Sequence, residues 1–149
     1  MIWTGPEVAD FVARNIPGCE RGFGNCTAIG FGKDRLIAGV VYHNWNPESG
    51  VIELSAASIK RDWLTRSGLS LMFAYPFDQI GCRIAVARIG EHNAQARRIW
   101  RSLGADEYVI PALRSPLEAE VIYTLSREAW KSGKFARGTH GKAICAQAA

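Results

Sequence analysis

A sharp change of hydrophobic pattern along the chain constrains the fold more than any other feature of the sequence. Residues 25–58, NCTAIGFGKDRLIAGVVYHNWNPESGVIELSAAS, are rich in Val and Ile and are interrupted by two turn-forming stretches, GKD and NPESG. Apolar runs separated by such turns are typical of consecutive strands in an antiparallel sheet. This segment therefore predicts antiparallel strands near 25–31, 35–45 and 51–58.

Helical spacing appears on both sides of this β-rich segment. Apolar residues at helical intervals, with Pro6 suited to a first turn, predict a helix at about 6–16. A second, buried helix is predicted at about 66–80, which Pro76 should kink or shorten. The remaining elements are a strand RIAVARI, a helix between Asn93 and Gly104, and strands DEYVI and AEVIYTLSRE. This order predicts an α/β fold with a mixed, mostly antiparallel sheet and helices on both faces.

The charge distribution divides the chain into two parts. All 14 acidic residues and 14 of the 18 basic residues lie in 1–130, so that part is neutral and of the size of one domain. The excess charge lies in 131–149, KSGKFARGTHGKAICAQAA, which contains no acidic residue and no sustained apolar period. We expect a domain at 1–130 and a flexible basic tail at 131–149. The tail is either a solvated end or a contact for nucleic acid.

Cysteine usage and the apolar runs indicate the compartment. The four cysteines are scattered without a CxxC pair, and no apolar run is long enough to span a membrane. The N-terminal residues MIWTGPEVADF lack the pattern of a signal peptide. We therefore expect a cytoplasmic protein that does not contact membranes. Cys19, Cys26 and His43 match no standard zinc spacing, so no metal is expected.

The predicted helix after Asn93 is strongly amphipathic. Ala96, Ile99, Trp100 and Leu103 recur at i, i+3, i+4 and i+7 and form one apolar stripe. Asn93 is a suitable N-cap, and the arginines off the stripe are either solvated or part of a site. Strand-to-helix junctions of this kind, around 58–67 and 89–94, favour phosphate because free backbone N–H groups meet the positive end of the helix.

These residues resemble a known family. Asn93, Ala96, Trp100 and LGA at 103–105 resemble the N-x-x-A-x-x-x-Y-x-x-x-G-F signature of the GCN5-related N-acetyltransferases. GCRIAVARIGEHN is similar to the family's fifth strand and loop, and IELSAAS to its fourth strand, so the resemblance covers about 25–127. It implies a splayed sheet, acetyl-CoA as acyl donor without a metal, and direct acetyl transfer to an amine.

The resemblance also implies a set of coenzyme-binding residues. The pyrophosphate loop falls on Arg61, Trp63, Leu64, Thr65 and Arg66, the pantetheine strand on Ser55, Ala56 and Ser58, and the outer parts of the coenzyme on Asn93 and Arg97, with Trp100 beside them. Leu64 and Arg66 stand where the family has glycines. Either Arg66 supplies charge that backbone amides supply elsewhere, or coenzyme binding is weakened.

The candidates for acid–base catalysis are few. Trp100 occupies the position of the family's tyrosine acid, and an indole N–H has no acid chemistry near neutral pH. Tyr108 and Tyr123 are substitutes, unless they simply pack in their strands. Glu53, inside the apolar run VIELS, is the first candidate base, and its alternative is a solvent-facing position. His43 is the second, and its alternative is ordinary polar surface.

Three functions remain open at this level. The first is an acetyl-CoA-dependent N-acyltransferase, a single domain that acetylates an amine on a small molecule or a protein. The second is acyl-CoA-dependent modification of a nucleobase on the same fold, with the basic tail holding DNA. The third is a degenerate domain that binds without catalysis. The predicted loop IPALRSPLEA carries no recognisable specificity code, and the sequence indicates no oligomeric state.

Overall fold

Seven strands form one sheet in the computed structural model, which describes residues 2–136. The elements are β1 (Ile2–Thr4), α1 (Pro6–Asn15), β2 (Cys26–Phe31), β3 (Ala38–Asn46), β4 (Val51–Ser58), α2 (Arg66–Ala74), a π-helical segment (Tyr75–Ile80), β5 (Ile84–Gly90), α3 (Ala94–Ser102), β6 (Asp106–Ser115), β7 (Glu118–Ser126) and α4 (Arg127–Ser132). The strand order is β1-β2-β3-β4-β5-β7-β6, and only β4 and β5 are parallel. The predicted mixed, mostly antiparallel sheet is confirmed.

Helices cover both faces of the sheet, as the sequence predicts. On one face α1 packs on β2, β3 and β4 through Val8 and Val12, which are fully buried. This approach requires Gly39, because a Cβ atom there would lie 2.8 Å from Val12 Cγ2. On the other face α2, α3 and α4 share a larger core around Phe73, whose ring contacts Trp100 and Trp130.

Two elements and one long strand were not predicted. β1 pairs with the end of β2, and α4 begins where the sequence suggested the end of a strand. Ser126 caps the new helix, because its Oγ accepts a hydrogen bond from Ala129 N at 3.1 Å. The predicted loop 110–119 is largely strand, since β6 continues to Ser115 past a register shift after Ile110. Pro76 does end the regular α-helix, which continues as a π-helical segment.

The first residues of the expected tail contact the domain. Arg66 Nη2 donates to the Lys134 carbonyl at 2.8 Å, and Ser70 Oγ donates to the Phe135 carbonyl at 2.6 Å. Phe135 and Ala136 also pack against the main core. Contacts with the domain therefore extend to residue 136. The rest of the expected flexible tail, 137–149, lies outside the described residues.

Within residues 2–136, no helix combines the length and apolar character that crossing a membrane requires.

Candidate functional site

A cleft opens where the two parallel strands diverge. β4 and β5 pair only over residues 51–53 and 84–86. Beyond these pairs, residues 54–58 and 87–90 line a cleft of about 970 Å³, together with the α1–β2 loop and the segment before α2. Backbone N–H and C=O groups on the facing edges of the diverging strands need partners, so an extended, amide-containing ligand fits between them. Ser55, Ala56 and Ser58 lie on this edge of the cleft, as the sequence predicts.

A polar cluster lies on the β3–β4 side of the cleft. His43 and Glu53 are directly opposite each other in the antiparallel pair, so their side chains share one face of the sheet. His43 Nε2 lies 3.5 Å from Glu53 Oε2 and 2.9 Å from Ser55 Oγ. Asn44 Nδ2 donates to Glu53 Oε1 at 3.3 Å. The two predicted candidates for the base therefore form one contact pair that lines the cleft.

Burial sets the protonation of His43. The imidazole is buried, with the Phe23 ring 4.9 Å away between centroids. This burial lowers the pKa of His43 below its ordinary value, while the Glu53 carboxylate acts in the opposite direction. A histidine with a lowered pKa is neutral at neutral pH, so it is able to take up a proton. Glu53 would stabilise the imidazolium that results.

The other end of the cleft is basic. Lys60, Arg61, Trp63 and Leu64 line it in the segment between β4 and α2. Thr65 caps α2 by accepting a hydrogen bond from Gly68 N at 3.0 Å, so Thr65 faces the helix start instead of the cleft. Two adjacent cations beside a helix N-terminus suit a pyrophosphate. Lys60 was not singled out from the sequence, although it precedes the predicted loop directly.

Arg66 does not line the cleft. Its guanidinium donates to the Lys134 carbonyl and lies 5.4 Å from the centre of the Phe135 ring. The prediction that Arg66 replaces the missing loop glycines depended on sequence position alone. The segment after α4, which no sequence pattern places beside α2, draws this side chain away.

The start of α3 forms the side of the cleft opposite β4. Asn93 lines the cleft and caps the helix, with its Oδ1 accepting a hydrogen bond from Ala96 N at 3.2 Å. Gln95 also lines the cleft, and its Nε2 donates to the Arg61 carbonyl. Gln95 was missed in the sequence, where it is one more polar residue on a helix. Its contact fixes the backbone of the basic segment relative to α3.

Trp100 lies deeper on the same side. It is buried in the main core, yet it lines the cleft as well. Its ring meets Phe73 edge-on at 5.4 Å and stacks with Tyr123 at 6.1 Å between centroids. The predicted apolar stripe of α3 therefore packs as expected, with the tryptophan at the boundary between core and cleft.

Two other predicted residues lie away from the cleft. Arg97 donates to the Glu91 carbonyl at 2.8 Å, to Glu107 and to the Tyr123 hydroxyl, so strands β6 and β7 hold it on the far side of α3. Tyr123 in turn donates to Glu107 Oε2 at 2.6 Å, which occupies its hydroxyl. Tyr108, on the edge strand β6, is 53% exposed and does not line the cleft. Among residues 2–136, no tyrosine lines the cleft.

Three charged residues that lie together in the cleft were not predicted from the sequence. Glu120 on β7 is buried and lines the cleft with Arg88 on β5 and Arg114 on β6. Glu120 Oε1 accepts from Arg114 Nη1 at 2.8 Å, and Oε2 accepts from Arg88 Nη2 at 3.3 Å. A glutamate inside the apolar run AEVIY could have indicated Glu120, just as the run VIELS indicated Glu53.

The described residues contain no group of three or more His, Cys, Asp and Glu side chains that could hold a metal ion. Cys19, Cys26 and Cys82 are free thiols.

The comparisons with known proteins concern the fold. No protein-family model and no curated protein matches the sequence. A GCN5-related N-acetyltransferase from Brucella melitensis matches the structure with a TM-score of 0.61 at 16% identity, over 74% of this chain and 54% of that one. A variant of spermidine N-acetyltransferase from Vibrio cholerae matches with a TM-score of 0.61 at 10% identity, over 70% of this chain and 68% of that one.

These similarities establish the fold of the chain. At such identities a structural match carries the architecture, and the chain has the fold of the GCN5-related N-acetyltransferases. The resemblance to that fold is confirmed. The chain spans between 54% and 65% of the length of four of the matched structures.

Proposed function

We propose that this chain, which has the fold of the GCN5-related N-acetyltransferases, is an acetyl-CoA-dependent N-acyltransferase. The observation that carries the proposal is the cleft between β4 and β5. A basic segment lies at one of its ends and the His43–Glu53 pair at the other. The first suits a pyrophosphate, the free strand edges suit an extended amide chain, and the pair suits removal of a proton from an amine.

The proposed reaction is a direct attack without a covalent enzyme intermediate. The amine nitrogen attacks the thioester carbonyl, a C–N bond forms, the C–S bond breaks, and the coenzyme leaves as its thiolate. The His43–Glu53 pair takes the proton that the amine loses. Trp100 cannot protonate the thiolate, so water supplies that proton. An amine held near its reaction partner needs only correct orientation and this proton acceptor, since a thiolate is a good leaving group.

Binding of the acyl donor is the first test. Calorimetry with acetyl-CoA should show binding, and Arg61→Ala should weaken it by about ten- to a hundredfold, because it removes a charge-assisted bond to phosphate. Arg66→Ala should have a much smaller effect, because Arg66 bonds to the Lys134 carbonyl outside the cleft. Arg98→Ala, an exposed position on α3, is the matched control. Absence of binding at millimolar acetyl-CoA would contradict the proposed function.

Turnover is the second part of the same test. A thiol reagent should report release of coenzyme A when acetyl-CoA is mixed with an acceptor amine, and His43→Gln should slow this release. Binding of acetyl-CoA without thiol release from any amine would favour a non-catalytic binding domain. The free thiols suit a reducing compartment, and we include a cytoplasmic location in the proposal.

A further inference from the structure

A buried carboxylate holds two arginines at the β5–β7 side of the cleft. The Glu120 side chain is 5% exposed and accepts one hydrogen bond from each arginine, Arg114 at 2.8 Å and Arg88 at 3.3 Å. A buried carboxylate is costly unless it is paired, so Glu120 requires at least one of these cations. The arginines themselves are accessible, with side chains that are 50% exposed for Arg88 and 30% exposed for Arg114.

This cluster carries more positive charge than Glu120 neutralises. Two guanidinium groups face the Glu120 carboxylate, and the Glu118 carboxylate lies near Arg114 alone, since Glu118 Oε1 and Arg114 Nε would lie 2.7 and 3.1 Å from a Cβ atom at Gly90. A guanidinium has five N–H donors, and each arginine gives one of them to Glu120. The remaining donors lie on groups that line the cleft, already fixed in position by their bond to Glu120. Fixed, planar donors of this kind suit a second carboxylate.

The position of Arg88 places this charge across the cleft from the proposed base. The parallel register pairs Glu53 with Val86, and Arg88 follows two residues later on β5, where the strands have separated. Side chains two residues apart on a strand point to the same face, so Arg88 shares the face of Glu53 and His43. Lys60 and Arg61 occupy the other end of the cleft, beside α2. The arginine pair is therefore separate from the cations proposed to bind pyrophosphate.

We propose that the acceptor is a small amine that carries a carboxylate, with its amino group at the His43–Glu53 pair and its carboxylate at Arg88 and Arg114. This inference rests on the proposed function, since it names the acceptor class of the same site. The matched Vibrio cholerae enzyme is named for a polyamine, spermidine. A polyamine would meet the positive charge of the arginine pair, so this chain should select against it.

The test compares acceptors with and without a carboxylate. Thiol release from acetyl-CoA is measured with β-alanine, β-alaninamide and putrescine as acceptors of the full chain. We expect kcat/KM for β-alanine to exceed that for β-alaninamide by about tenfold or more, with most of the difference in KM, and putrescine to be the poorest acceptor.

Variants at Arg88 show whether the arginine pair causes the preference. Arg88→Gln should remove most of the preference for β-alanine by raising its KM, Arg88→Lys should retain part of it, and Arg98→Gln should leave it unchanged. Because the same two acceptors are compared in every variant, the different basicity of their amines cancels. Unchanged Tm and acetyl-CoA affinity of Arg88→Gln show that its fold is intact, since Arg114 still pairs with Glu120. Arg114→Gln is the second variant, and it should reduce the preference for β-alanine in the same way.

The failure of this inference is distinguishable from failure of the proposed function. Lack of acetyl-CoA binding contradicts the acyltransferase, whereas turnover with equal kcat/KM for β-alanine and its amide contradicts the acceptor class alone. An equal loss for both acceptors in Arg88→Gln also overturns it. Without turnover, calorimetric titration with β-alanine decides: binding that Arg88→Gln weakens supports the carboxylate site, and absence of binding overturns it.

Discussion

Single residues in this fold combine packing with a place in the cleft, and Trp100 on α3 does so most directly. It belongs to the apolar stripe of α3, contacts Phe73 and Tyr123, and still lines the cleft. A tyrosine at this position in the family implies an acid for the departing thiolate. Here the hydroxyl of the neighbouring Tyr123 is bonded to Glu107, so it is unavailable for that role.

Substitutions of Trp100 separate packing from chemistry. Trp100→Ala should lower the free energy of unfolding by about 3–5 kcal/mol through reduced burial and a cavity. Trp130→Ala is the matched control, because Trp130 packs on the same Phe73 ring at 5.1 Å but does not line the cleft. Both changes should lower Tm, whereas only Trp100→Ala should change acetyl-CoA affinity. Equal affinities would contradict a role for Trp100 in the cleft.

Trp100→Tyr extends this comparison to the reaction rate. The change restores the hydroxyl that the family signature has at this position. If thiolate protonation limited the rate, the variant would gain part of the roughly 10²–10⁴-fold that general acid catalysis typically contributes, and kcat would rise. We expect only a small gain, because the thiolate leaves readily without a protein acid.

The pH dependence of His43 has a defined sign. Burial lowers its folded-state pKa below the ordinary value, so protons bind the unfolded chain more readily. The stability that the neutral imidazole contributes is therefore present above about pH 6.5 and is lost as pH falls through the folded-state pKa. Urea unfolding at pH 7 and pH 5 should show a larger loss for the parent than for His43→Gln.

The pH dependence of the activity should also be set by His43. The acid limb of kcat/KM should have an apparent pKa below that of an ordinary histidine, because the His43–Glu53 pair must be able to accept a proton. An acid limb that is unchanged in His43→Gln would assign the base to another group.

Residue positions were predictable to the extent that local spacing fixes them. Glu53 and Asn93 line the cleft, since strand alternation and helix capping determine where they point. Arg66 and Arg97 do not, because long side chains take the direction of their partners. Those partners are in segments whose neighbours the sequence does not reveal. The two arginines around Glu120 were not predicted for the same reason, because the sequence does not reveal that their strands lie beside β7.

At the scale of elements, α3 is held to the sheet by a compact ionic group. Glu107 on β6 accepts from Arg101 Nε at 2.7 Å and from the Tyr123 hydroxyl at 2.6 Å, and Arg97 lies 3.3 Å away. Bonds from Arg101 and Tyr123 lower the pKa of Glu107 to about 2. The bonds connect the helix that carries Asn93 to strands β6 and β7.

The depressed pKa of Glu107 predicts how this connection responds to acid. A carboxyl group whose folded-state pKa is lowered contributes stability that is present above its ordinary value near 4.5 and is lost as pH falls towards about 2. Glu107→Gln should therefore be less stable than the parent at pH 7, and the difference should shrink between pH 5 and pH 3. Denaturant unfolding measures this, with Glu48→Gln in the exposed β3–β4 turn as control. A constant difference across this range would show that Glu107 acts by packing.

The order of elements was more predictable than their ends. Apolar periodicity distinguished strands from helices over most of the chain, because one face of each element must be buried. The extent of β6 and the start of α4 were missed. Both depend on interactions across the fold, the pairing of β6 with β7 and the packing of Trp130 in the core.

At the scale of the whole molecule, the cleft results from the one parallel pair. β4 and β5 are joined through α2, as a parallel connection requires, and they pair over only three positions before they diverge. The sequence predicted the order that brings these strands together. The resemblance implied their divergence, whereas apolar periodicity carries no signal for it.

Two truncations of the C-terminal segment should have different effects, because one of them removes residues 134 and 135, which bond to α2. Removal of 137–149 should leave Tm and acetyl-CoA affinity unchanged, since that sequence lacks a pattern that forms a core. Removal of 132–149 should lower Tm, because Arg66 and Ser70 lose their bonds to the Lys134 and Phe135 carbonyls at the start of α2. Equal Tm values for the two truncated chains would show that these bonds are dispensable.

The same pair of truncated chains tests the proposed interaction between the basic tail and nucleic acid. Of the four basic residues after 130, Arg137 and Lys142 are removed in the shorter deletion. If the basic tail contacts nucleic acid, removal of 137–149 leaves fewer cations to neutralise phosphates, so it should weaken retention on DNA and flatten its salt dependence. Because this deletion should preserve acetyl-CoA binding, the two activities separate within one variant. Retention on DNA that is unchanged by the deletion would exclude residues 137–149 as the DNA-binding segment.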